Sequence, residues 1–208
     1  MKIVKVAKKN DNTVIIFLDN NERLFLSYEV FLKNGLKKDD EISESRFSFL
    51  IRENQKYFIK HRAYNYLSRR SHSEFELVNK LKQKGYDQEL ITPIIEELKE
   101  NKYLDDLEFS REFTAENIRR KHWGKHKLKS ELIKRHIDRD TILTVVSENF
   151  DPENEAENAL ALGAKKLKIL IVKPLPKEKL EQKLYSYLNS KGFEFDIIQK
   201  VVNKLLDE

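Results

Sequence analysis

Residues 73–95 read SEFELVNKLKQKGYDQELITPII, and their apolar pattern returns twice further along the chain. A shift of 51 residues (128 minus 77) or of 107 residues (184 minus 77) superimposes six apolar positions on two later blocks. The aligned positions are Leu77/Leu128/Leu184, Leu81/Leu132/Leu188, Tyr86/Ile137/Phe193, Ile91/Ile142/Ile198, Ile94/Val145/Val201 and Ile95/Val146/Val202. Agreement at this many positions indicates an internal repeat, which is typical of stacked arrays of small modules.

Each block has the pattern helix, cap, helix. Before the third aligned position the copies read Lys84-Gly85, Arg135-His136 and Lys191-Gly192, a basic last turn followed by a C-terminal cap. The next helix starts at Asp87, Asp138 or Glu194, and we expect these acids to cap helices rather than to catalyse a reaction. In the first copy the pattern predicts helices at about Glu53 to Ser68, Ser73 to Lys84 and Asp87 to Glu100, with Ser73 and Glu76 forming a capping box.

The middle copy departs from the other two at two positions. His136 replaces a glycine, which costs about 1 kcal/mol if the left-handed backbone conformation is kept. Asn149 stands where the other copies have Leu98 and Leu205. We therefore expect the third helix of this copy to end early or to pack less apolar surface.

The first part of the chain has a different pattern. Three runs rich in Val, Ile and Phe, at Ile3 to Lys8, Thr13 to Leu18 and Arg23 to Ser27, are separated by polar turn sequences. They predict a three-stranded antiparallel meander, followed by a short helix from Tyr28 to Asn34 that Gly35 stops. We expect Phe17, Phe25 and Phe31 to form the core of this segment.

The composition favours an extended arrangement of modules. With 39% hydrophobic and 36% charged residues, the chain of 208 residues is too polar for a single large core. The predicted fold is mainly α, an elongated array of three tandem three-helix repeats preceded by a small β-meander with a short helix. The predicted limits are 1–50 for the meander segment and 51–104, 105–150 and 151–208 for the three repeats.

Several classes of function have no support in the sequence. The chain has no cysteine, no apolar run long enough to span a bilayer and no signal segment at its start, which predicts a soluble, cytoplasmic protein without membrane partners. We expect it to be a monomer. His122 and His126 have the spacing of two metal ligands, but Gly124 lies between them and no motif supplies a third ligand. No catalytic residue, metal site or cofactor is predicted.

Charge is distributed unevenly along the chain. Nine Lys or Arg and two acids lie between Arg119 and Arg139, whereas nine acids and three basic residues lie between Asp87 and Glu112. Because Arg69 and Arg70 shifted by 51 residues become Arg120 and Lys121, corresponding corners of stacked repeats would line one side. The predicted basic stripe consists of Arg69, Arg70, Arg119, Arg120, Lys121, Lys125, Lys127, Lys129, Lys134 and Arg135. We expect this stripe to bind a polyanion, either nucleic-acid phosphate or an acidic protein groove, and the alternative is that it is only a solvated helix surface. We expect Trp123, at the centre of these cations, to pack the helix corner rather than to stack on bases.

A family resemblance rests on several short motifs. They are Tyr66-Leu67-Ser68-Arg69-Arg70, Ser73, Glu76-Leu77, Leu81, Lys84-Gly85-Tyr86, Tyr103-Leu104-Asp105-Asp106 with Phe109, and Gly124 followed by Leu128, Glu131-Leu132 and Ile137. Together they resemble the bacterial RecX family over essentially the whole chain. Two departures are His136 and Lys102, each at a position where the family commonly has glycine.

The resemblance implies a regulator and not an enzyme. RecX-like proteins bind the RecA recombinase and the RecA–DNA filament, and they inhibit ATP hydrolysis and strand exchange in DNA repair, homologous recombination and the SOS response. Some also bind single- or double-stranded DNA directly. A sequence-nonspecific DNA-binding module that competes with RecA for DNA is the alternative.

Overall fold

The computed structural model describes residues 1–172 and 174–207, and Lys173 and Glu208 lie outside the described residues. Three strands and ten helices follow one another along this part of the chain. The elements are β1 (Ile3–Asn10), β2 (Thr13–Leu18), β3 (Arg23–Ser27), α1 (Tyr28–Lys33), α2 (Glu44–Leu67), α3 (Glu74–Lys82), α4 (Gln88–Glu100), α5 (Asp106–Lys121), α6 (Lys125–Ile133), α7 (Arg139–Asn149), α8 (Pro152–Leu170), α9 (Lys177–Lys191) and α10 (Phe195–Asp207).

The chain divides into two compact units, Met1–Leu104 and Asp105–Glu208. The first unit holds the sheet, α1 and the helices α2 to α4 of the first repeat. The second unit holds α5 to α7 and α8 to α10, the helices of the second and third repeats. The predicted class, mainly α with an N-terminal antiparallel sheet, is confirmed. The four segment limits derived from the sequence stay a proposal.

The N-terminal sheet is an antiparallel meander in the order β1-β2-β3. Its inner face buries Val14, Ile16 and Leu18 of β2 against α1 and α2. The expectation for two of the three phenylalanines was wrong, because Phe17 and Phe25 point to the opposite, outer face, where Phe25 is 45% exposed. Only Phe31, on α1, packs against the core.

Helix α2 starts nine residues earlier than expected, at Glu44 instead of Glu53. Its side chains contribute to two hydrophobic cores. Ser43 caps it by accepting a hydrogen bond from the Arg46 amide at 3.1 Å. Leu50 belongs to the core of the sheet, whereas Ile59, further along the same helix, belongs to the core of the first repeat. The predicted limit between residues 50 and 51 therefore falls inside a continuous helix.

Asn54, on the same helix, covers the open edge of β3. Its Oδ1 accepts the Ser27 amide at 2.7 Å, and its Nδ2 donates to the Phe25 carbonyl at 2.8 Å. An edge strand otherwise leaves such groups free to pair with another chain. One amide side chain therefore joins the sheet to the helical part of the first unit.

The repeated leucines form the cores of the three repeats. Each repeat buries the same pair completely, and all six side chains are 0% exposed. The pairs are Leu77 and Leu81, Leu128 and Leu132, and Leu184 and Leu188. Burying a leucine contributes about 1.5–3 kcal/mol, so these positions explain why the pattern recurs.

The expected helix caps are confirmed at some helix starts and not at others. Ser73 Oγ accepts the Glu76 amide at 3.2 Å, as the capping box requires, and Asp138 Oδ1 accepts the Thr141 amide at 2.8 Å. This bond, together with a bond from the Thr141 side chain, lowers the pKa of Asp138. Asp87 makes no side-chain cap bond. Glu194 instead bonds to Lys125 of the second repeat.

His136 keeps the left-handed backbone of the glycines that it replaces, with φ at 57° against 82° for Gly85 and 88° for Gly192. The strain expected from the sequence is therefore present. Its helix α7 has 11 residues, whereas α4 and α10 have 13 each, as expected from Asn149.

We expect His136→Gly to stabilise the protein. The variant removes the cost of the left-handed backbone, about 1–2 kcal/mol in favour of the folded state. It also increases the entropy of the unfolded chain, which costs about 0.5–1 kcal/mol of stability. The net gain of roughly 0.5–1 kcal/mol in unfolding free energy is measurable by urea denaturation. The reverse change in the first repeat, Gly85→His, serves as the control and lowers stability by a similar amount. A loss of stability in His136→Gly would contradict this explanation.

Candidate functional site

The predicted basic corner is the turn that joins α5 to α6. Helix α5 ends at Lys121, and the next residue, His122, has the left-handed backbone (φ 50°, ψ 48°) that stops the helix. Trp123 follows, half-buried against the core of the second repeat, with its ring 6.0 Å from that of Phe113. The expectation that Trp123 packs the corner is confirmed. Because the Trp123 ring is held in place, the cations that contact it are held in place as well.

Three of the predicted cations lie over aromatic rings of this corner. Lys121 Nζ is 4.5 Å and Lys127 Nζ is 5.7 Å from the centre of the Trp123 ring. The Arg135 guanidinium carbon is 4.3 Å from the centre of the Phe113 ring. Such contacts contribute about 0.5–1 kcal/mol at exposed sites and orient the side chains.

Glu131 is the carboxylate on which three of the cations converge. Its Oε1 is 3.3 Å from Lys127 Nζ and 2.9 Å from Lys134 Nζ, and its Oε2 is 3.0 Å from Arg135. Hydrogen bonds from these cations, the one from Lys134 foremost, lower the pKa of Glu131 to about 2. One negative charge thus holds three positive ones, and this side of α6 keeps a positive excess.

Glu131→Gln should destabilise the protein at neutral pH and not in acid. A carboxyl whose pKa is lowered on folding stabilises above its unfolded pKa, and that stability is lost as pH falls through the folded pKa. We expect a loss of about 1–2 kcal/mol at pH 7 after solvent screening, which disappears between about pH 4.5 and pH 2. Urea denaturation at stepped pH measures this difference.

The matched control is Glu116→Gln. Glu116 bonds Arg120 at 2.8 Å in an exposed pair one helical turn apart, so its loss should change stability by less than about 0.5 kcal/mol. Equal losses in Glu131→Gln and Glu116→Gln would show that the convergence of three cations on Glu131 has no energetic role.

The end of α5 presents the least neutralised charge of the corner. Arg119, Arg120 and Lys121 are consecutive, exposed and in the last turn. Arg120 bonds Glu116, and within residues 1–172 and 174–207 no carboxylate lies at ion-pair distance from Arg119 or Lys121. Cations at this end of a helix are also favoured by its dipole. Lys129, on α6, is half-buried and likewise has no ion pair within the described residues.

The corresponding corner of the first repeat carries less accessible charge. Arg69 is exposed, while Arg70 bonds Glu76 at 2.8 Å and donates to the Ser71 carbonyl at 2.7 Å. His72, at the position of Trp123, is 2% exposed, and burial lowers its pKa. The cationic part of this corner is therefore Arg69 and Arg70.

The third repeat packs directly on the basic corner of the second. The Gly124 amide donates to the Lys191 carbonyl at 2.8 Å, and the His126 amide donates to the Gly192 carbonyl at 2.9 Å. A Cβ atom on Gly124 would lie 2.6 Å from the Gly192 carbonyl carbon and 2.7 Å from the Phe193 nitrogen. Both are backbone atoms, so only glycine fits here.

Glu155 of α8 caps α6 across this contact. In the first repeat the equivalent helix is capped by Ser73, but its counterpart Gly124 has no side chain. Glu155 Oε1 accepts the Lys125 amide at 3.0 Å, and burial raises the pKa of this carboxyl although the bond lowers it. The third repeat thus supplies the cap that the second lacks.

Lys125 belongs to the same interface. Its Nζ bonds Glu194 at 3.1 Å, which lowers the pKa of Glu194. Of the ten predicted stripe residues, Lys125 is therefore held by the third repeat, and its role toward a partner stays a prediction. The sequence signal for this contact is that Gly124 stands in the second repeat where the first has Ser73. The sequence does not show which distant acid caps the helix instead.

A second basic surface in the third repeat was not predicted. A groove between α8 and α9 is lined by Lys166, Lys179 and Lys183, with Tyr187 at its wall. Lys166 Nζ and Lys191 Nζ lie 5.3 and 5.5 Å from the centre of the Tyr187 ring. The available signal in the sequence is the run of lysines along α9, Lys177, Lys179 and Lys183.

The arrangement of cations is suited to binding anions. The described residues contain no group of three or more His, Asp or Glu side chains placed to hold a metal ion. Across those residues, no helix combines the length and the apolar character needed to cross a membrane. The surface of the basic corner consists of Lys and Arg side chains that lie over aromatic rings and near a few carboxylates.

Comparison with known proteins gives a consistent result in each repeat. Residues 60–98 match the family model described as RecX, first three-helix domain. Residues 105–145 match the second three-helix domain of RecX, and residues 153–202 match the third. Each match falls within one set of three consecutive helices.

Similar proteins extend the match to nearly the whole chain. "Regulatory protein RecX" of Clostridium botulinum (strain Alaska E43 / Type E3) is 32% identical over 204 residues, which cover 98% of this chain and 95% of that protein. The protein of the same name from Clostridium perfringens (strain 13 / Type A) is 31% identical, with 97% and 94% covered.

Two solved structures are also similar. A crystal structure of regulatory protein RecX has a TM-score of 0.73 and 25% identity, covering 96% of this chain and 98% of that one. The crystal structure of RecX from Lactobacillus salivarius has a TM-score of 0.63 at 21% identity, with 74% and 97% covered, and supports the fold alone.

Proposed function

The chain belongs to the RecX family of regulatory proteins, and from that membership we propose that it binds the RecA recombinase and its filament on DNA. The chain acts in the cytoplasm as a monomer and catalyses no reaction of its own. It inhibits ATP hydrolysis and strand exchange by RecA during DNA repair and recombination.

The observation that carries this proposal is the cationic end of α5. Arg119, Arg120 and Lys121 form an exposed run in which, among the described residues, only Arg120 pairs with a carboxylate. Lys121 lies over the ring of Trp123, which packs against the core of the repeat. A rigid cationic surface attracts an acidic protein groove, raises the association rate and fixes the orientation of the complex. Lys127, Lys129, Lys134 and Arg135 extend this surface along α6, and Arg69 and Arg70 form its counterpart in the first repeat.

Direct DNA binding is the second candidate. The same cations match nucleic-acid phosphates, and competition for single-stranded DNA would also reduce RecA activity. The two functions differ in salt dependence, because affinity based on phosphate contacts falls steeply as salt is raised. They also differ in their requirement for RecA, which is needed only in the first case.

The test is RecA-catalysed ATP hydrolysis on single-stranded DNA, measured while the chain is titrated against RecA. We expect inhibition that depends on the ratio of chain to RecA and does not change when more DNA is supplied. Inhibition that is relieved in proportion to added DNA supports the competition mechanism instead. A rate of hydrolysis that stays constant at excess chain would contradict both candidates.

A further inference from the structure

The outer face of the N-terminal sheet is open to solvent and unusually apolar. Strand β2 points Ile15 and Phe17 to this face, and the neighbouring β3 adds Phe25. Phe25 is 45% exposed, although a phenyl ring of this kind is normally buried. The strand side chains that fill the sheet core come from the opposite face, so packing of that core does not explain these rings.

Cations surround both rings. Across the sheet, Phe17 is paired with Lys5 on β1 and with Arg23 on β3, so a cation flanks it on each side. Lys5 Nζ and the Arg23 guanidinium carbon lie 5.7 and 5.4 Å from the centre of the Phe17 ring. Lys9 Nζ lies 5.0 Å from the centre of the Phe25 ring.

The three strands contain no Asp or Glu; the nearby acids, Asp11, Asp19 and Glu22, are in the turns. Asp11 pairs with Lys8, on the strand end. Within the described residues, Lys5, Lys9 and Arg23 make contact with rings and have no carboxylate at ion-pair distance. The face therefore combines one exposed ring, Phe25, and one partly exposed ring, Phe17, with three cations that have no carboxylate at ion-pair distance within the described residues.

We propose that the outer face of the sheet, formed by Phe17, Phe25, Lys5, Lys9 and Arg23, binds single-stranded DNA. The rings stack on bases, and the flexible cations move from the rings to the phosphates. Phe17 and Phe25 are diagonal neighbours, since Phe17 pairs with Arg23 and Ile15 pairs with Phe25. Diagonal positions are about 7–8 Å apart, which leaves room for one base on each ring.

The chemistry of the face favours a single strand over a duplex. Aromatic side chains bind bases by their flat faces, and these are accessible only where bases are unpaired and splayed. A duplex would offer its phosphates alone and would leave both rings without a partner. The choice of DNA over RNA rests on the proposed function, whereas binding itself is tested without RecA.

The experiment uses the full chain and a short fluorescein-labelled oligo(dT), with binding followed by fluorescence anisotropy at raised salt. Raised salt weakens the contributions of other cationic surfaces, while stacking persists. We expect Phe17→Ala and Phe25→Ala each to weaken binding about tenfold, and the double variant to weaken it further. Phe25→Trp should retain affinity, and oligo(dT) should quench its tryptophan fluorescence by more than it quenches the native Trp123 of the unmodified chain.

Phe49→Ala is the matched control. Phe49 is 46% exposed and has the Arg46 guanidinium carbon 5.3 Å from its ring centre, but it lies on α2. Its removal should leave oligo(dT) binding unchanged. Circular dichroism melts verify that all variants fold.

Four results would overturn the proposal. The first is a double variant that binds oligo(dT) as tightly as the unmodified chain, and the second is a Phe25→Trp variant that oligo(dT) quenches no more than the unmodified chain. The third is a loss of binding to RecA with unchanged binding to oligo(dT), which would make the face a protein surface. The fourth is oligo(U) bound about tenfold more tightly than oligo(dT), which would assign RNA. Because RecA is absent from the DNA assay, none of the DNA results tests the proposed binding to RecA, so the two proposals can fail separately.

Discussion

Gly192→Ala is expected to lower the free energy of unfolding by about 3–5 kcal/mol. Two effects add. The left-handed backbone at φ 88° costs about 1–2 kcal/mol for a residue with a Cβ atom. The new methyl group would also collide with the backbone nitrogen of Lys127 and lie 2.7 Å from its Cα, and a backbone cannot rotate away as a side chain does. The third repeat must then move off the second.

Gly85→Ala is the control for this prediction. Gly85 is the equivalent residue of the first repeat, with φ at 82°, but among the described residues no heavy atom beyond its chain neighbours lies within 4 Å of the position that its Cβ would occupy. This variant should therefore lose about 1–2 kcal/mol from backbone strain alone. Urea denaturation of both variants measures the difference. Similar losses would show that Gly192 is required only for its backbone conformation and not for the contact between repeats.

Gly124→Ser tests the other side of the same contact. The substitution restores the residue found at Ser73, which on its own would add a helix cap of about 1 kcal/mol. Its Cβ would meet the Gly192 backbone, so we expect a net loss of stability. A gain would mean that the two repeats do not approach as closely as described.

The second large effect concerns function. Charge reversal of the α5 end, by Arg119→Glu, Arg120→Glu and Lys121→Glu together, should weaken inhibition of RecA strand exchange by about tenfold to a hundredfold. The estimate assigns about 0.5–1 kcal/mol to each lost charge contact at a rim. Lys125 is left unchanged because its bond to Glu194 holds the third repeat, and its loss would confuse binding with folding.

A matched variant separates this surface from net charge. Lys33→Glu, Lys37→Glu and Lys38→Glu together change the charge by the same amount at exposed positions of the first unit, one of them also in the last turn of a helix. This variant should inhibit strand exchange nearly as well as the unmodified chain. If both triple variants inhibited strand exchange as well as the unmodified chain, the α5 end would not belong to the proposed interface. If both lost inhibition to the same extent, the effect would come from overall charge alone.

The helical cores were predictable because the same apolar pattern occurs three times in the sequence. Leu77, Leu128 and Leu184 align by a simple shift and are all fully buried, since equivalent positions in equivalent helices face equivalent neighbours. The left-handed turn at His136 was predictable on the same ground, because the two glycines at its equivalent positions indicate the backbone conformation.

The outer face of the sheet was not predictable from strand composition. Strand β2 reads TVIIFL, which is apolar at nearly every position, so alternation could not show which side faces the core. Large rings were then assigned to the interior by their usual preference. The flanking cations Lys5 and Arg23 were the available signal, but they become neighbours of Phe17 only through the strand register.

Contacts between repeats were the other part that the sequence did not reveal. Gly124 and Glu155 are 31 positions apart, and nothing local links the missing cap to the carboxylate that replaces it. For the same reason Lys125 looked like its exposed neighbours in the basic run, although the third repeat holds it. Position in a charged run does not distinguish a residue that binds a partner from one that binds the next module.

The most direct measurement is binding of the chain to preformed RecA filaments on single-stranded DNA, compared with binding to the same DNA without RecA at increasing salt. We expect the chain to bind the filaments more tightly than it binds the bare DNA at every salt concentration, because salt weakens the phosphate contacts on which binding to bare DNA partly depends. The account would be contradicted if the chain bound bare DNA with equal or higher affinity than the filament, and if raised salt that removes binding to bare DNA also removed binding to the filament.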